Sequence, residues 1–421
     1  MSEPTRPPIN AVTTPAGYRA GGVACGIKAS GQPDLALLVS DRPAAAAAVF
    51  TRSQSKAEPL LVDQEQLRDP HIQAVIVNSG NANCATGAQG LADARTMLGL
   101  AAERAGCAVD LAFVSSTGII GHFLPMDRVR EGAAEVTLSA EGGGDFARAI
   151  LTTDGFMKEA LATFEAGGAT YTLGGCAKGA GMIHPNLDGA NMDGPHMGAP
   201  AGERHATMLA YLTTDADIEP GLLQERLQYA VDRSFNMISV DGDTSTSDTV
   251  LILANGAAGG TPLTAADRDG VAAFDAALRS VCESLAIDIA RGGEGATKLL
   301  AITVQGAADR DAAVAVARTV STSVLLKAAL SKGDPNWGRV VMAAGNAGVP
   351  FDRAMLRVWL GDRLLYADGG STGIAPADAA QAVAGDTVRI RIDLGQGDAE
   401  ATAWGCDLTE EYVRFNADYV T

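Results

Sequence analysis

Between Val271 and Val304 the hydrophobic period changes, and that change narrows the possible folds more than any other stretch. Val271, Phe274, Leu278, Val281 and Leu285 recur in steps of three and four, which lays one apolar stripe along a helix. At RGGEGATK (Arg291–Lys298) three glycines remove helix propensity, which predicts the stop. Leu300, Ile302 and Val304 then alternate, as a strand with one buried face does. The alternation returns at Val388, Ile390, Ile392 and Leu394, and LRVWLGDRLLY (Leu356–Tyr366) predicts a hairpin turning at Gly361 and Asp362. The expected class is α/β, with helices layered on sheets.

The first half fits that class. DLALLVSD (Asp34–Asp41) and AVIVNSG (Ala74–Gly80) are short apolar runs closed by turn residues and predict buried strands. LADARTMLGLAAERAGC (Leu91–Cys107) has helical spacing with a stop at Gly106. One stretch, LDGANMDGPHMGAPAGERH (Leu187–His205), has no hydrophobic period and is dense in Gly, Pro, Asp and Asn, which predicts an exposed loop.

A chain of 421 residues suits two lobes or one large α/β domain. Its 32 Lys and Arg against 50 Asp and Glu give a net charge of −18, which disfavours nucleic acid and anionic lipid as partners. MSEPTRPPINAVTTP lacks a secretory layout, and no apolar run approaches the roughly 18 residues that cross a bilayer, so a soluble cytoplasmic protein is expected. Cys25, Cys84, Cys107, Cys176, Cys282 and Cys406 lie far apart with no CxxC pair, so reduced, mostly buried thiols are expected, with neither disulfides nor zinc.

In RHATMLAYLTTDA (Arg204–Ala216) a small residue, Ala206, precedes Thr207, and an apolar run follows. A threonine hydroxyl needs a base to act as a nucleophile. Were the bond between Ala206 and Thr207 broken, the freed α-amine, with a pKa of about 7.7 to 8.0, would put that base on the same residue. The hydroxyl can make the cut as well, by attacking the Ala206 carbonyl and leaving an ester for water to open. Each such step passes through an oxyanion that needs fixed donors. SSTGIIG (Ser115–Gly121) follows the apolar LAFV, so Thr117 and Gly118 are expected at a strand end, where a hydroxyl and a backbone N–H can converge.

The plainer readings stand beside these. An Ala-Thr pair before an apolar run is far more often a strand or helix start, and STG is usually a turn. His71, His122, His184, His196 and His205 are scattered and suggest no Ser/His/Asp triad. GGEGATK has Thr297 where a phosphate loop places glycine before its lysine, so nucleotide binding is rejected.

KGAGMIHPN (Lys178–Asn186) followed by ATMLAYLTTDA (Ala206–Ala216) resembles the self-processing region of the ornithine acetyltransferases, the bifunctional glutamate N-acetyltransferases of arginine biosynthesis. GYRAGGVACGIK, DLALLVSDRPAAAAAVFT, NSGNANCATG, STGIIG, TTDGFMK, SFNMISVDGDTSTSDT, GEGATK, DPNWGR and NADYVT are similar to that family in order, over nearly the whole chain. The resemblance implies a layered α/β sandwich of N-terminal-nucleophile-like type. It implies self-cleavage between Ala206 and Thr207 into residues 1–206 and 207–421, which stay associated as an assembly of two α and two β chains. Thr207 would then carry acetyl from N2-acetylornithine to L-glutamate in a ping-pong exchange without cofactor or metal. Many members also accept acetyl-CoA as a co-substrate.

By the same resemblance Thr117 and Gly118 form the oxyanion hole, and Thr153, Lys178, Thr207, Glu294, Asn416 and Thr421 contact substrate. Those residue types suit amino acids: Lys178 can neutralise an α-carboxylate, Glu294 can receive a cationic amine, and Thr153, Asn416 and Thr421 can hydrogen-bond polar ends. Without the resemblance, Lys178 and Glu294 read better as a surface charge or a structural ion pair.

The chain departs from the family where the loop over 187–205 is inserted before Ala206. The insertion could be a neutral extension, a cover over the pocket that changes substrate choice, or a displacement that blocks cutting. Two other functions stay open. One is an N-terminal-threonine amidohydrolase or a specialised-metabolism acyltransferase; the other is an uncleaved, noncatalytic relative.

Overall fold

A computed structural model describes residues 9–189 and 207–418. The backbone forms two compact units. One runs to Asp232 and resumes over Thr244–Leu285; the other takes Arg233–Asp243 and the chain from Ala286 onward. Thr207 therefore lies inside the first unit and not at a unit boundary.

The first unit is built on a nine-stranded sheet. In chain order its strands are β1 (Tyr18–Val23), β2 (Leu35–Thr51), β3 (His71–Asn81), β4 (Ala112–Ile119), β5 (Lys158–Ala166), β6 (Ala169–Lys178), β7 (Leu187–Gly189) and β8 (Leu209–Thr214). After β9 (Ile238–Ser239), which belongs to the second unit, the sheet gains β10 (Thr249–Ala254). The spatial order is β4-β3-β2-β10-β8-β6-β5, with β1 and β7 also pairing to β2.

Both faces of this sheet are covered, which is why its strands read as unbroken apolar runs. Leu35, Leu37 and Val39 join Ile76 and Val114 in one core, while Ala36 and Leu38 join Val77 and Phe113 in the other. The β2–β3 register slips between Val39 and Ala44, across Pro43, which has no N–H to give the ladder. The Gly87–Ala105 helix covers the first of these cores with Met97, Leu98 and Ala101 and ends on Gly106 in the left-handed region, at φ 70°.

The sheet also curls. Four strands separate β4 from β6 in the sheet order. Five flat spacings would hold them about 24 Å apart. Instead Lys178, the last residue of β6, places Nζ 3.2 Å from Thr117 Oγ1 near the end of β4.

The stretch expected to be a loop from Leu187 begins differently. Leu187–Gly189 forms β7, antiparallel to Val49–Thr51, and Leu187 is buried. Beside it, the Gln224 side chain accepts from Ala48 N at 3.2 Å and donates to Ala48 O at 3.1 Å. An open backbone edge recruits partners whatever their side-chain pattern, and three residues are too few to show a period. The rest of the insertion and Ala206 lie outside the described residues.

In the second unit, β11 (Leu299–Ala307), β12 (Arg357–Leu360), β13 (Arg363–Ala367), β14 (Gly370–Ser371), β15 (Thr387–Asp393) and β16 (Ala399–Cys406) complete a seven-stranded sheet with β9, in the order β14-β13-β12-β15-β11-β16-β9. The two alternating runs lie parallel, Leu300 beside Val388, Ile302 beside Ile390 and Val304 beside Ile392. The expected hairpin closes with Leu360 opposite Arg363 and Gly361 at φ 53°. The expected helix spans Arg268–Arg291, with Phe274, Leu278, Val281 and Leu285 buried and Val271 half-buried, and ends where the glycines begin.

All six cysteines are free thiols, four buried and two half-buried, and burial together with Asp34 pushes the Cys25 thiol up to about 12. Among the described residues no single helix is long and apolar enough to cross a membrane.

Candidate active site

Strand register gathers the candidate residues of the first unit. Thr207 stands two residues ahead of β8 and is 2% exposed. Because β10 runs parallel to β8 with Thr249 beside Leu209, residues 245–248 lie alongside Thr207 and Met208. Thr207 Oγ1 and Ser245 Oγ are 2.8 Å apart, and Asp248 Oδ1 accepts from Met208 N at 2.9 Å. Ser245 Oγ also accepts from Ser247 N at 3.1 Å, and the Ser245 carbonyl accepts from Thr51 Oγ1 at 2.7 Å. The nucleophile candidate is thus held at its hydroxyl and at the next peptide N–H by one loop.

From the other side, antiparallel β6 sets Lys178 opposite Leu209, so the lysine reaches back to Thr207. Its Nζ donates to Thr207 O at 2.6 Å and to Thr117 Oγ1 at 3.2 Å, with all three residues buried. Thr117 Oγ1, accepting from an ammonium, is left with its own proton to direct elsewhere. The Lys178 ammonium, expected to meet a substrate carboxylate, is directed first at these two protein oxygens.

Thr117 and Gly118 lie at the end of β4, as expected. Gly118 has φ +130°, and a Cβ there would sit 2.4 Å from Gly80 C and 2.5 Å from Asn81 N. Only glycine fits. The NSGNANCATG segment builds the opposing wall: Ser116 Oγ donates to Asn78 Oδ1 at 2.6 Å, Asn78 Nδ2 to Asn81 O at 2.8 Å, and Asn83 N to Asn81 Oδ1 at 2.8 Å.

Thr153 sits in a turn organised by Asp154, whose Oδ2 accepts from Thr152 N at 3.1 Å. Thr153 Oγ1 is buried without a hydrogen-bond partner among the described residues, which fits the expected ligand contact.

In the second unit Asn416 Nδ2 donates to Glu294 Oε2 at 3.0 Å and to Tyr412 O at 3.1 Å, so these two candidates pair with each other. Glu294 lies in the glycine loop, which Asp407 fixes by accepting from Thr297 N at 2.8 Å and Lys298 N at 3.0 Å. Burial, then Asp241 and Glu294, push the Tyr412 phenol well above its ordinary value, as expected beside carboxylates. Thr421 lies outside the described residues.

A sequence model of the ArgJ family matches residues 19–421. The chain belongs to the ArgJ family. Within it, arginine biosynthesis bifunctional protein ArgJ of Symbiobacterium thermophilum is 48% identical over 414 residues, covering 97% of this chain and 98% of its own. The protein of that name from Dehalococcoides mccartyi is 41% identical over 416 residues, covering 98% of each chain. A crystal structure of the ArgJ protein from Bacillus halodurans is 41% identical, covering 49% of this chain and 97% of its own at a TM-score of 0.48.

ArgJ family membership bears out the resemblance carried by the ordered motifs, and the two-sheet α/β build agrees with the class expected. Ser245, Asp248, Asp154 and Lys158 were not among the residues singled out for chemistry. They sit inside SFNMISVDGDTSTSDT and TTDGFMK, and a dense run of hydroxyls and carboxylates without period was the available signal.

Proposed function

We propose that this ArgJ family chain is an acyltransferase of arginine biosynthesis that moves acetyl from N2-acetylornithine to L-glutamate, through an ester on Thr207 formed after the chain parts from Ala206. The observation that carries this reading is the buried Thr207 hydroxyl, 2.8 Å from Ser245 Oγ, with Lys178 joining its carbonyl to Thr117.

The freed α-amine takes the proton from Thr207 Oγ1 as the oxygen attacks the acetyl carbonyl. Negative charge gathers on the carbonyl oxygen and is met by Thr117 Oγ1–H and Gly118 N–H. The amide C–N bond breaks, and ornithine leaves with the proton returned by the amine. The amine of glutamate then attacks the ester, the C–O bond breaks, and Thr207 Oγ1 recovers its proton. Thr153 is proposed to hold a polar end of the substrate, with Lys178 a nearby positive charge for its carboxylate. For Glu294 and Asn416, and for Thr421, the proposed roles are to accept the cationic amine and to hydrogen-bond it. Acetyl-CoA is proposed as a second acetyl donor. We further propose an assembly of two of each fragment.

Incubating the purified protein with N2-acetylornithine should release ornithine at speed only when glutamate is present, with N-acetylglutamate formed in equal amount. Release at full speed without glutamate would instead mark an amidohydrolase. Thr117→Ala should slow both processing and transfer by about ten to a thousandfold, as loss of one oxyanion donor does; unchanged rates would remove it from the hole. Ser245→Ala forfeits one neutral hydrogen bond to the nucleophile, about 1 kcal/mol, so acetylation of Thr207 should slow by roughly fivefold to tenfold. Mass spectrometry of the quenched reaction reads this rate, and a rate equal to wild type would show that the contact does not aim the hydroxyl.

A further inference from the structure

Lys158 and Lys178 are both wholly buried, and Asp154 is ion-paired with Lys158 and within electrostatic reach of Lys178. Its Oδ1 accepts from Lys158 Nζ at 2.6 Å and from the N–H of Gly179, the residue after Lys178, at 2.7 Å. With Oδ2 on Thr152 N, one side chain fixes the backbone that follows Lys178 and the turn that carries Thr153. Burial by itself would make this carboxyl keep its proton, but the ammoniums of Lys158 and Lys178 outweigh that and hold it well below the usual carboxylate range. Its contribution to stability is therefore present above the unfolded value of about 3.9 and is lost only as pH falls through the lowered one. Lys28 faces the same charges: burial and Lys178 pull it down to about 8, against Asp34 and Asp154.

We propose that Asp154 is a positioning residue for acetyl transfer. By pinning Gly179 and balancing Lys178, it keeps the Lys178 ammonium on Thr117 Oγ1 and so keeps that hydroxyl's proton turned toward the reacting carbonyl. The inference rests on the acyl-transfer reading above and adds a residue that does not itself touch substrate.

Asp154→Asn alone takes the ion-pair partner from the buried Lys158 ammonium and endangers the fold. The deciding variant therefore combines Asp154→Asn with Lys158→Met, which removes one charge of each sign. Thermal melting establishes that it folds, and kcat and KM for N2-acetylornithine are then measured from about pH 6 to about pH 10. The expected result is a KM within about twofold of wild type and a kcat lower by roughly tenfold to a hundredfold. The alkaline limb should move to lower pH, because the negative charge of Asp154, which favours a charged neighbour, is gone. Lys158→Met alone, which keeps Asp154 for Lys178, should retain the wild-type limb.

Wild-type kcat with an unmoved limb would overturn the proposal. So would a loss uniform in pH with a raised KM, or a double variant that no longer melts cooperatively, since either marks the pair as scaffold. A wild-type protein that never carries acetyl on Thr207 would sink the underlying reading, an outcome distinguishable from failure of the variant alone.

Discussion

Thr207→Ala should give one unbroken chain of full length that transfers no acetyl. The hydroxyl has two tasks in the proposed chemistry, opening the bond after Ala206 and carrying the acyl group, and alanine can do neither. Loss of a covalent nucleophile costs on the order of a millionfold in rate. The fold should survive, because the change removes one hydroxyl, bonded to Ser245, while the Lys178 contact is to the backbone carbonyl and remains. Thr207→Ser keeps the hydroxyl and should retain part of both activities. Mass spectrometry of the denatured protein reads the cut and a coupled ornithine assay reads the transfer; an alanine variant that still splits and turns over would place the nucleophile elsewhere.

Gly118→Ala should come next in severity. The added methyl meets backbone, not a side chain that can swing away, at 2.4 Å from Gly80 C. Its φ of +130° adds strain of about 1 to 3 kcal/mol for any residue with a Cβ. The strand end must shift, and with it both the Gly118 N–H and the Thr117 hydroxyl. Loss of kcat by about a hundredfold or more is expected, with a lowered melting temperature and little change in KM. A variant that melts lower yet turns over at the wild-type rate would show that the N–H at this position does not meet the oxyanion.

Much of the architecture was legible because burial leaves periodic marks. Phe274, Leu278, Val281 and Leu285 announce a helix, and Ile302 beside Ile390 continues two strands that could each be read alone. The strand-end position of Thr117 and Gly118 also followed from an apolar run ending in small residues. What remained hidden depends on register and curvature, which no single segment encodes. The contact between Lys178 and Thr117 needs the sheet to bring together strands five places apart. Ser245 reaches Thr207 only because β10 lies parallel to β8 in one particular alignment. β7 was missed because its three residues answer the exposed edge of β2, not a pattern of their own.

The strand order carries a consequence for the sequence of events in the life of this protein. β8 and β10 lie side by side, flanked by β2 and β6, so a polypeptide beginning at Thr207 would be inserted into the middle of a fabric woven by the preceding half. The proposed scission would then follow folding, since Thr207, Lys178 and Ser245 meet only once the weave is complete. The same ladders would become the stitching afterwards, and the severed halves would part only by unravelling the sheet that had brought the cutting groups together.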